Sequence, residues 1–289
     1  MAEEIGSKPI DVQTLENIDS FDDLPDVTEL TEEQLYAIRS GDLSSDYIAP
    51  FEWNGESYEQ WRSIIDGTEI VAIPDISMFN SPIRHFWAGQ GIDVDDGSQA
   101  TTWTDQIAGT TASASDDPRY RADQDGFEAV EYFEDEEGGH EVDEDFMPTG
   151  SDPASVAALI FVPSSLDDIG NVTQWGSSGE DDLLLRVRPQ DGDVLQFETT
   201  GSGTEATIGY QPGEWMVVGG SMDDNGQLTV YHNDSLSVGD EITVDIGGGH
   251  FFGYDSGGLE FGGFIAEFIF SDVDEPDDSF SDYYESRLL

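Results

Sequence analysis

Two loops of the sequence carry the aromatic and polar residue types that could bind a sugar. One reads Gly249-His-Phe-Phe-Gly-Tyr-Asp255, and the other reads Asn171-Val-Thr-Gln-Trp-Gly176. Aromatic faces stack on sugar rings, while carboxylates, amides and imidazoles pair with hydroxyl groups. Together with a histidine in the segment Tyr231-His-Asn233, the candidate ligand-binding residues are Trp175, His232, His250, Phe252, Tyr254 and Asp255. The competing interpretation is that Trp175, Phe251 and Phe252 are ordinary core residues.

Two aspartate-rich loops could hold calcium, which takes about six to eight oxygen ligands. The first loop offers Asp93, Asp95 and Asp96 before Gly97, and the second reads Asp223-Asp-Asn-Gly226. Neither loop has the bidentate glutamate at a fixed distance that a helix-loop-helix calcium site requires. A calcium site at Asp93, Asp95 and Asp96 and a pair of solvated acidic turns therefore remain the two interpretations.

Other site chemistries are excluded by residue type or spacing. The chain has no cysteine, so disulfides, thiolate metal sites and a cysteine nucleophile are impossible. The four histidines are scattered and no pair has the spacing of a helical metal motif. The sequence contains neither a Gly-x-Ser-x-Gly elbow nor a phosphate-binding loop.

The charge of the chain constrains its environment and its partners. The formal net charge is −55, from 64 acidic and 9 basic residues, yet 16 Phe, 10 Tyr and 6 Trp indicate a packed core. Concentrated salt shortens the Debye length to about 3 Å at 1 M, so a high-salt habitat explains the composition. We expect no nucleic-acid binding, because no basic patch could neutralise phosphates. We also expect no cleaved signal peptide and no membrane insertion.

Residues 1–80 are predicted to form a small N-terminal arm with two short helices. Thr31-Glu-Glu-Gln34 and Ser57-Tyr-Glu-Gln60 are capping boxes, and each precedes an apolar pattern that closes on a glycine, at 41 and 67. Residues 68–85 carry two prolines and are predicted to be an extended linker. The domain boundary is placed there.

From residue 86 to 289 the pattern is that of an antiparallel β-sandwich, and the chain as a whole is predicted to be mainly β. Short apolar runs at 156–162, 183–187, 194–197, 215–218 and 228–231 alternate with turn residues. The most apolar run, 262–270, is predicted to be a buried central strand whose single charge is Glu267.

This second region resembles the concanavalin A-like lectin/glucanase jelly roll, in its laminin-G-like branch. The resemblance lies in Trp103-Thr-Asp105, Tyr231-His-Asn233 and Phe261-Gly-Gly-Phe-Ile-Ala-Glu267, and it covers about 200 residues. It implies a jelly roll over 86–289 that ends in a short helix over 279–289, with calcium at a sandwich rim in some relatives. It also implies a structural, hydrogen-bonding role for Glu267. Asp234 replaces the usual glycine after Asn233, which predicts a longer turn.

Glucanases of this fold use alternate carboxylates on one strand, one as nucleophile and one as acid. The nearest match is Glu141-Val-Asp143, but it lies in an acid-dense stretch without a preceding apolar strand. Glu267 stands alone on its strand. We therefore expect that the protein is not an enzyme, and keep glycan hydrolysis as an alternative.

Residues 21–41 resemble segments near the start of bacteriophage tail-fibre proteins, through Leu24-Pro25, Thr28, Thr31 and Gly41. The two resemblances imply a virion surface protein, either a tail fibre or a capsid spike, of a haloarchaeal tailed virus. It would form a homo-oligomer, with a trimer favoured, contact other virion proteins through residues 1–80, and bind a host surface glycan or glycoprotein. A purely structural decoration protein without a ligand is the other alternative.

Overall fold

The computed structural model describes residues 75–114, 118–133, 138–142, 146–147, 152–176, 182–199, 205–242, 250–254 and 260–289, together with the backbone of four strands nearer the start. The chain divides into two compact units, Met1–Asp75 and Ile76–Leu289. Residues 76–81 therefore belong to the second unit, whereas the sequence pattern assigned residues up to 80 to the arm. In the described part of the chain, no helix is long and apolar enough to cross a membrane.

The first unit contains strands where the sequence predicted helices. Its sheet has the order β1 (Leu35–Arg39), β2 (Ile48–Trp53), β3 (Tyr58–Arg62) and β4 (Val71–Ala72), and all pairs are antiparallel. The predicted helices over 31–41 and 57–67 are therefore wrong, because β1 lies within the first range and β3 within the second. Both segments are short and rich in aromatic and β-branched residues, so strand pairing outweighs the capping boxes. The Asn-Gly pair at 54–55, between β2 and β3, is also a hairpin signal.

The second unit is an antiparallel β-sandwich, as predicted. One sheet, which we call the front sheet, has the spatial order β15 (Glu205–Gly209), β14 (Val194–Thr199), β13 (Leu183–Arg188), β12 (Gly170–Trp175), β19 (His250–Phe252), β10 (His140–Val142), β7 (Thr111–Ala114) and β6 (Thr102–Thr104). The back sheet has the order β18 (Ser235–Glu241), β17 (Gln227–His232), β16 (Trp215–Met222), β11 (Ala154–Phe161), β20 (Phe264–Ser271), β9 (Phe127–Glu131) and β8 (Arg119–Gln124), and β5 (Pro82–Trp87) also pairs with β20.

Three short or terminal elements complete the second unit. They are α1 (Ala88–Gly91), a 3-10 turn (Pro189–Asp191) and α2 (Asp277–Leu288). The predicted terminal helix is confirmed as α2. The predicted linker over 68–85 is wrong in part, because β4 and most of β5 fall within it. The turn after β17 is not lengthened: Asn233 adopts a φ of 53° and Ser235 pairs directly with His232.

The predicted central strand is β20. It is paired with β11 along one edge, and its other edge is shared by β9 and β5. Its register with β11 shifts by one residue, since Leu159 pairs with Glu267 but Ile160 pairs with Ile265. A bulge of this kind lets two successive side chains lie on one side of the sheet. Ala266 accordingly packs on the outer side of the back sheet, and Glu267 reaches α2 on that side.

The outer side of the back sheet is sealed by α2 and by the segment 76–81. Phe79 packs edge-on against Phe280 at 5.8 Å between ring centroids, and Phe280 stacks on Tyr231 at 3.7 Å. Gly219 permits this stack, because a Cβ there would lie 2.4 Å from a ring carbon of Phe280. The segment is also held by the buried Glu275, whose carboxylate accepts hydrogen bonds from the backbone of residues 80 and 81. The second unit thus begins on its helix-covered side.

Glu267 is the buried anchor of this helix. Its carboxylate accepts hydrogen bonds from His85 Nε2 at 2.7 Å, Tyr283 Oη at 2.9 Å and Arg287 Nε at 2.8 Å. Burial by itself raises the pKa of Glu267, but the hydrogen bonds and charges of Arg287 and His85 outweigh it and lower the pKa to about 2. The carboxylate of Glu267 thus has the predicted hydrogen-bonding role, and its three partners come from two elements, β5 and α2.

We expect Glu267→Gln to lower the free energy of unfolding by about 3 to 5 kcal/mol, because the substitution leaves the Arg287 guanidinium buried without its counter-charge. Chemical denaturation in molar salt measures this loss. The matched control is Glu131→Gln, which breaks the half-exposed pair with Arg121 on the back sheet and should cost less than about 1 kcal/mol. Equal losses in the two variants would contradict the anchoring role of Glu267.

Candidate functional site

The outer side of the front sheet is the candidate site, because the outer side of the back sheet is covered by α2. Residues directly opposite each other in antiparallel strands lie on the same side of a sheet. The strand registers connect one residue from each of the eight strands into a single outward-facing row, namely Thr102, Ser113, Glu141, Phe251, Gln174, Leu184, Glu198 and Glu205. This row crosses the whole sheet. Its central members Phe251, Gln174 and Leu184 are buried, so the accessible part of the row lies towards its two ends.

A second, shorter row adds further polar side chains on the same side. It runs through Asn171, Arg186, Gln196 and Thr207. We use the name polar layer for the seven hydrogen-bonded side chains of these strands, which are Asn171, Gln174, Arg186, Arg188, Gln196, Glu198 and Glu205. They lie on four consecutive strands, β12 to β15, so alternation along each strand is what places them together.

Hydrogen bonds join the polar layer across strands. Arg186 donates to Asn171 Oδ1 and to Glu198 Oε1. Arg188 Nη1 donates to Gln196 Oε1 at 2.9 Å, and the amide nitrogen of Gln196 donates to Glu205. The guanidinium groups and carboxylates are therefore fixed in orientation by neighbours on adjoining strands.

Burial divides the polar layer into two levels. The amides of Asn171, Gln174 and Gln196 are buried, as expected for polar groups that already have partners. The side chains of Arg186 and Glu198 are 15% and 14% exposed, and Glu205 is exposed. The amides are thus the buried part of the layer, Arg186 and Glu198 are mostly buried, and Glu205 is its solvent-exposed member. Such a surface can exchange hydrogen bonds with a hydroxyl-rich ligand.

The structure does not bring the six predicted ligand residues together. Trp175 and Phe252 are fully buried between the sheets, where Trp175 packs on Phe197, so neither ring can stack on a sugar. His250 is buried as well, and its ring stacks on Phe146 at 4.0 Å. These three assignments are corrected. Trp175 and Phe252 lie on strands that are paired along both edges, and their rings point into the core. The sequence pattern alone did not distinguish a core ring from a ring that stacks on a sugar.

The remaining three candidates differ in their positions. Tyr254 is half-buried and packs edge-on against Phe251 at 5.3 Å, beside the row on the front sheet. Burial, followed by the charge of Glu141, raises the pKa of Tyr254 to about 12. His232 ends β17 in the back sheet and so lies away from the polar layer. Asp255 lies outside the described residues.

The predicted calcium ligands do not form a metal-binding group. Asp96 Oδ1 accepts a hydrogen bond from the backbone of Ala122 at 3.0 Å, and Asp93 and Asp95 are exposed. Over the described ranges, no three His, Asp or Glu side chains converge in a way that could hold a metal. In the second aspartate-rich loop, Asp223 Oδ1 accepts hydrogen bonds from its own turn at Asn225 and Gln227. That carboxylate closes the turn.

Sequence reasoning missed the polar layer, although one signal for it was present. Only nine residues in the chain are lysine or arginine, and two of them, Arg186 and Arg188, alternate at the end of the predicted strand 183–187 and just beyond it. In a chain with 64 acidic residues, two arginines on one side of one strand indicate a local need for positive charge. The amides opposite them could not be found from the sequence, because the strand registers decide which residues face each other.

Comparisons with known proteins identify the fold. No family model and no curated protein matches the chain. Domain 4 of AbnA, a GH43 extracellular arabinanase from Geobacillus stearothermophilus, solved with arabinotriose, aligns with a TM-score of 0.53 at 16% identity, over 71% of this chain and 98% of that domain. The botulinum neurotoxin type G receptor binding domain aligns with a TM-score of 0.52 at 11% identity, over 71% and 51% of the two chains.

A sialidase from Trypanosoma rangeli aligns with a TM-score of 0.52 at 10% identity, covering 90% of this chain and 45% of the sialidase. This chain therefore spans about half the length of the neurotoxin domain and of the sialidase. At such identities the similarity concerns the fold alone, which is an antiparallel β-sandwich. The predicted lectin-like jelly roll agrees with these neighbours.

Two buried histidines predict acid lability. Burial lowers the pKa of His140 to about 4, and burial with the nearby Arg84 charge lowers the pKa of His250 to about 3. An unfolded histidine takes up its proton near pH 6.5, so below that pH the unfolded state binds more protons and the folded state loses stability. The stability that the folded state gains by keeping His140 and His250 neutral is complete above about pH 6.5. It is lost as the pH falls towards 3 to 4.

We expect His250→Phe to reduce the slope of unfolding free energy against pH between about 6 and 4.5 by as much as 1.4 kcal/mol per pH unit, which corresponds to one proton. Phenylalanine keeps a ring against Phe146 but cannot titrate. Denaturant titrations at several pH values in constant molar salt give the slope. A variant whose slope equals that of the unaltered protein would exclude His250 as a source of the lability.

Proposed function

We propose that this protein is a glycan-recognition module and that the polar layer of the front sheet contains its binding surface. The observation that carries the proposal is the contrast between the two outer sides of the sandwich. One is covered by α2, and the other carries hydrogen-bonded guanidinium and carboxylate groups beside buried amides, with Glu205 exposed to solvent. The lectin-like fold supports this assignment, since the arabinanase domain was solved with arabinotriose and the neurotoxin domain is a receptor-binding domain.

The positions of the carboxylates support a protein that binds glycans without hydrolysing them. Glu141 and Glu198 lie four strand spacings apart in the row, about 19 Å, whereas glycosidase pairs are separated by about 5 to 9.5 Å. Glu198 and Glu205 are close enough, being directly opposed, but Arg186 and Gln196 donate to them. Glu198 and Glu205 therefore act as hydrogen-bond acceptors. Glycoside hydrolysis instead requires that one of the two carboxyl groups donate a proton to the leaving oxygen. Asp143 lies outside the described residues.

The full-length protein in molar KCl is expected to bind oligosaccharides on a glycan array and to adsorb to halophilic archaeal cells, without releasing reducing sugar. Removal of surface glycan from the cells by periodate should abolish adsorption. Absence of binding to every glycan and cell tested would favour the alternative of a structural protein without a ligand. Turnover that Glu141→Gln or Glu198→Gln abolishes would instead establish the hydrolase alternative.

We further propose that the module is displayed on the surface of a haloarchaeal tailed virus, as a tail fibre or a capsid spike, and works outside the cell in high salt. The tail-fibre-like segment 21–41 and the net charge of −55 support this setting. In it, residues 1–80 contact other virion proteins and the chain forms a homo-oligomer, with a trimer favoured.

Particles labelled with gold-conjugated antibody against the protein are expected to show label at the fibre tips or at regular capsid positions in electron micrographs. Light scattering of the purified chain in molar salt is expected to give three times the monomer mass. A monomeric chain would exclude the trimer, and purified particles without the protein would exclude the virion role. Neither result would bear on glycan binding, which the array measures separately.

A further inference from the structure

Two carboxylates of the polar layer lie directly opposite each other. Glu198 on β14 pairs with Glu205 on β15, so their Cα atoms are about 4.5 to 5.5 Å apart. Like charges in this arrangement are destabilising unless other groups compensate them. Arg186 bonds to one carboxylate and Gln196 bonds to the other, which leaves further lone pairs on both. The pair is therefore a concentrated acceptor site at the more exposed edge of the polar layer.

The arginines beside this pair are already engaged. Arg186 bonds to Glu198 and Asn171, while Arg188 bonds to Gln196 and forms an ion pair with Asp191 at 2.7 Å. They are the only arginines on the described front-sheet strands, and those strands have no lysine. An anionic ligand recognised by this sheet would have to displace Glu198 or Asp191 from its guanidinium. Recognition of a carboxylate normally uses an available guanidinium or ammonium group.

From these contacts we infer that the polar layer selects uncharged, hydroxyl-rich glycans and discriminates against glycans that bear carboxylate or sulfate groups. The inference rests on the proposed function and specifies its ligand class. Hydroxyl groups donate to the remaining lone pairs of Glu198 and Glu205 and so relieve their repulsion, whereas an anion increases it. The net charge of −55 acts in the same direction, with its long-range part screened by salt.

The test compares matched neutral and acidic oligosaccharides with the full-length protein in molar KCl. Lactose and sialyllactose differ by one sialic acid, and neutral arabinotriose and maltotriose extend the neutral set. Glycan-array binding followed by calorimetry should show neutral members bound and sialyllactose bound at least about tenfold more weakly than lactose. Glu198→Gln and Glu205→Gln should each weaken binding of the neutral ligand by about tenfold, through loss of a charged acceptor.

The control variant is Glu131→Gln. Glu131 pairs with Arg121 across two strands of the back sheet, so it reproduces the chemistry of the Arg186 and Glu198 pair away from the polar layer. It should leave glycan affinity unchanged. Arg186→Lys keeps the charge but not the two-fold bonding to Asn171 and Glu198, and it should weaken binding while circular dichroism confirms the fold.

Each outcome separates the inference from the function on which it rests. Tighter binding of sialyllactose than of lactose would overturn the uncharged class and leave glycan recognition intact. Neutral binding that survives both glutamate substitutions would remove the site from the polar layer. Binding that disappears with a chelator would show that a cation, and not direct hydroxyl donation, joins glycan and carboxylates. No binding to any sugar would overturn the proposed function itself.

Discussion

The buried ion pair between Glu267 and Arg287 is the interaction on which the arrangement of the second unit depends. It joins the central strand of the back sheet to the C-terminal helix, and His85 and Tyr283 complete the hydrogen bonding of the carboxylate. A charge buried this deeply is tolerated only when its partners are all in place. The helix therefore docks in one position, and its docking closes one outer side of the sandwich.

Because α2 covers the outer side of the back sheet, the outer side of the front sheet is the candidate binding surface. The apolar rings of α2 and the segment 76–81 cover the back sheet, whereas the front sheet carries hydrogen-bonded ionic groups on its outer side. Both sheets bury apolar residues between them, so the difference arises from the outward-facing positions of each strand. In the front sheet, alternate residues along each strand thus face the core and the outer polar layer in turn.

Charge has different consequences at the surface and in the interior. Across the chain, 64 acidic residues are set against 9 basic ones, so exposed carboxylates repel each other and depend on salt for screening. In the interior, Glu267 and Glu275 are buried and fully engaged in hydrogen bonds. Arginine is the cation of both Glu267 and Glu198, because a guanidinium can bond to more than one acceptor at once.

The sequence by itself determined the class of fold and the buried central strand, since apolar runs, alternation and turn residues are local signals, whereas the terminal helix was expected from the family resemblance. Local signals were wrong at 31–41 and 57–67, where pairing with β2 outweighed the helix caps, and they could not separate Trp175 in the core from a sugar-binding ring. Only the tertiary structure decided that Arg186 meets Asn171 and Glu198, because strand register depends on partners distant in the sequence. The candidate site consists of such cross-strand contacts, so only the folded chain contains it.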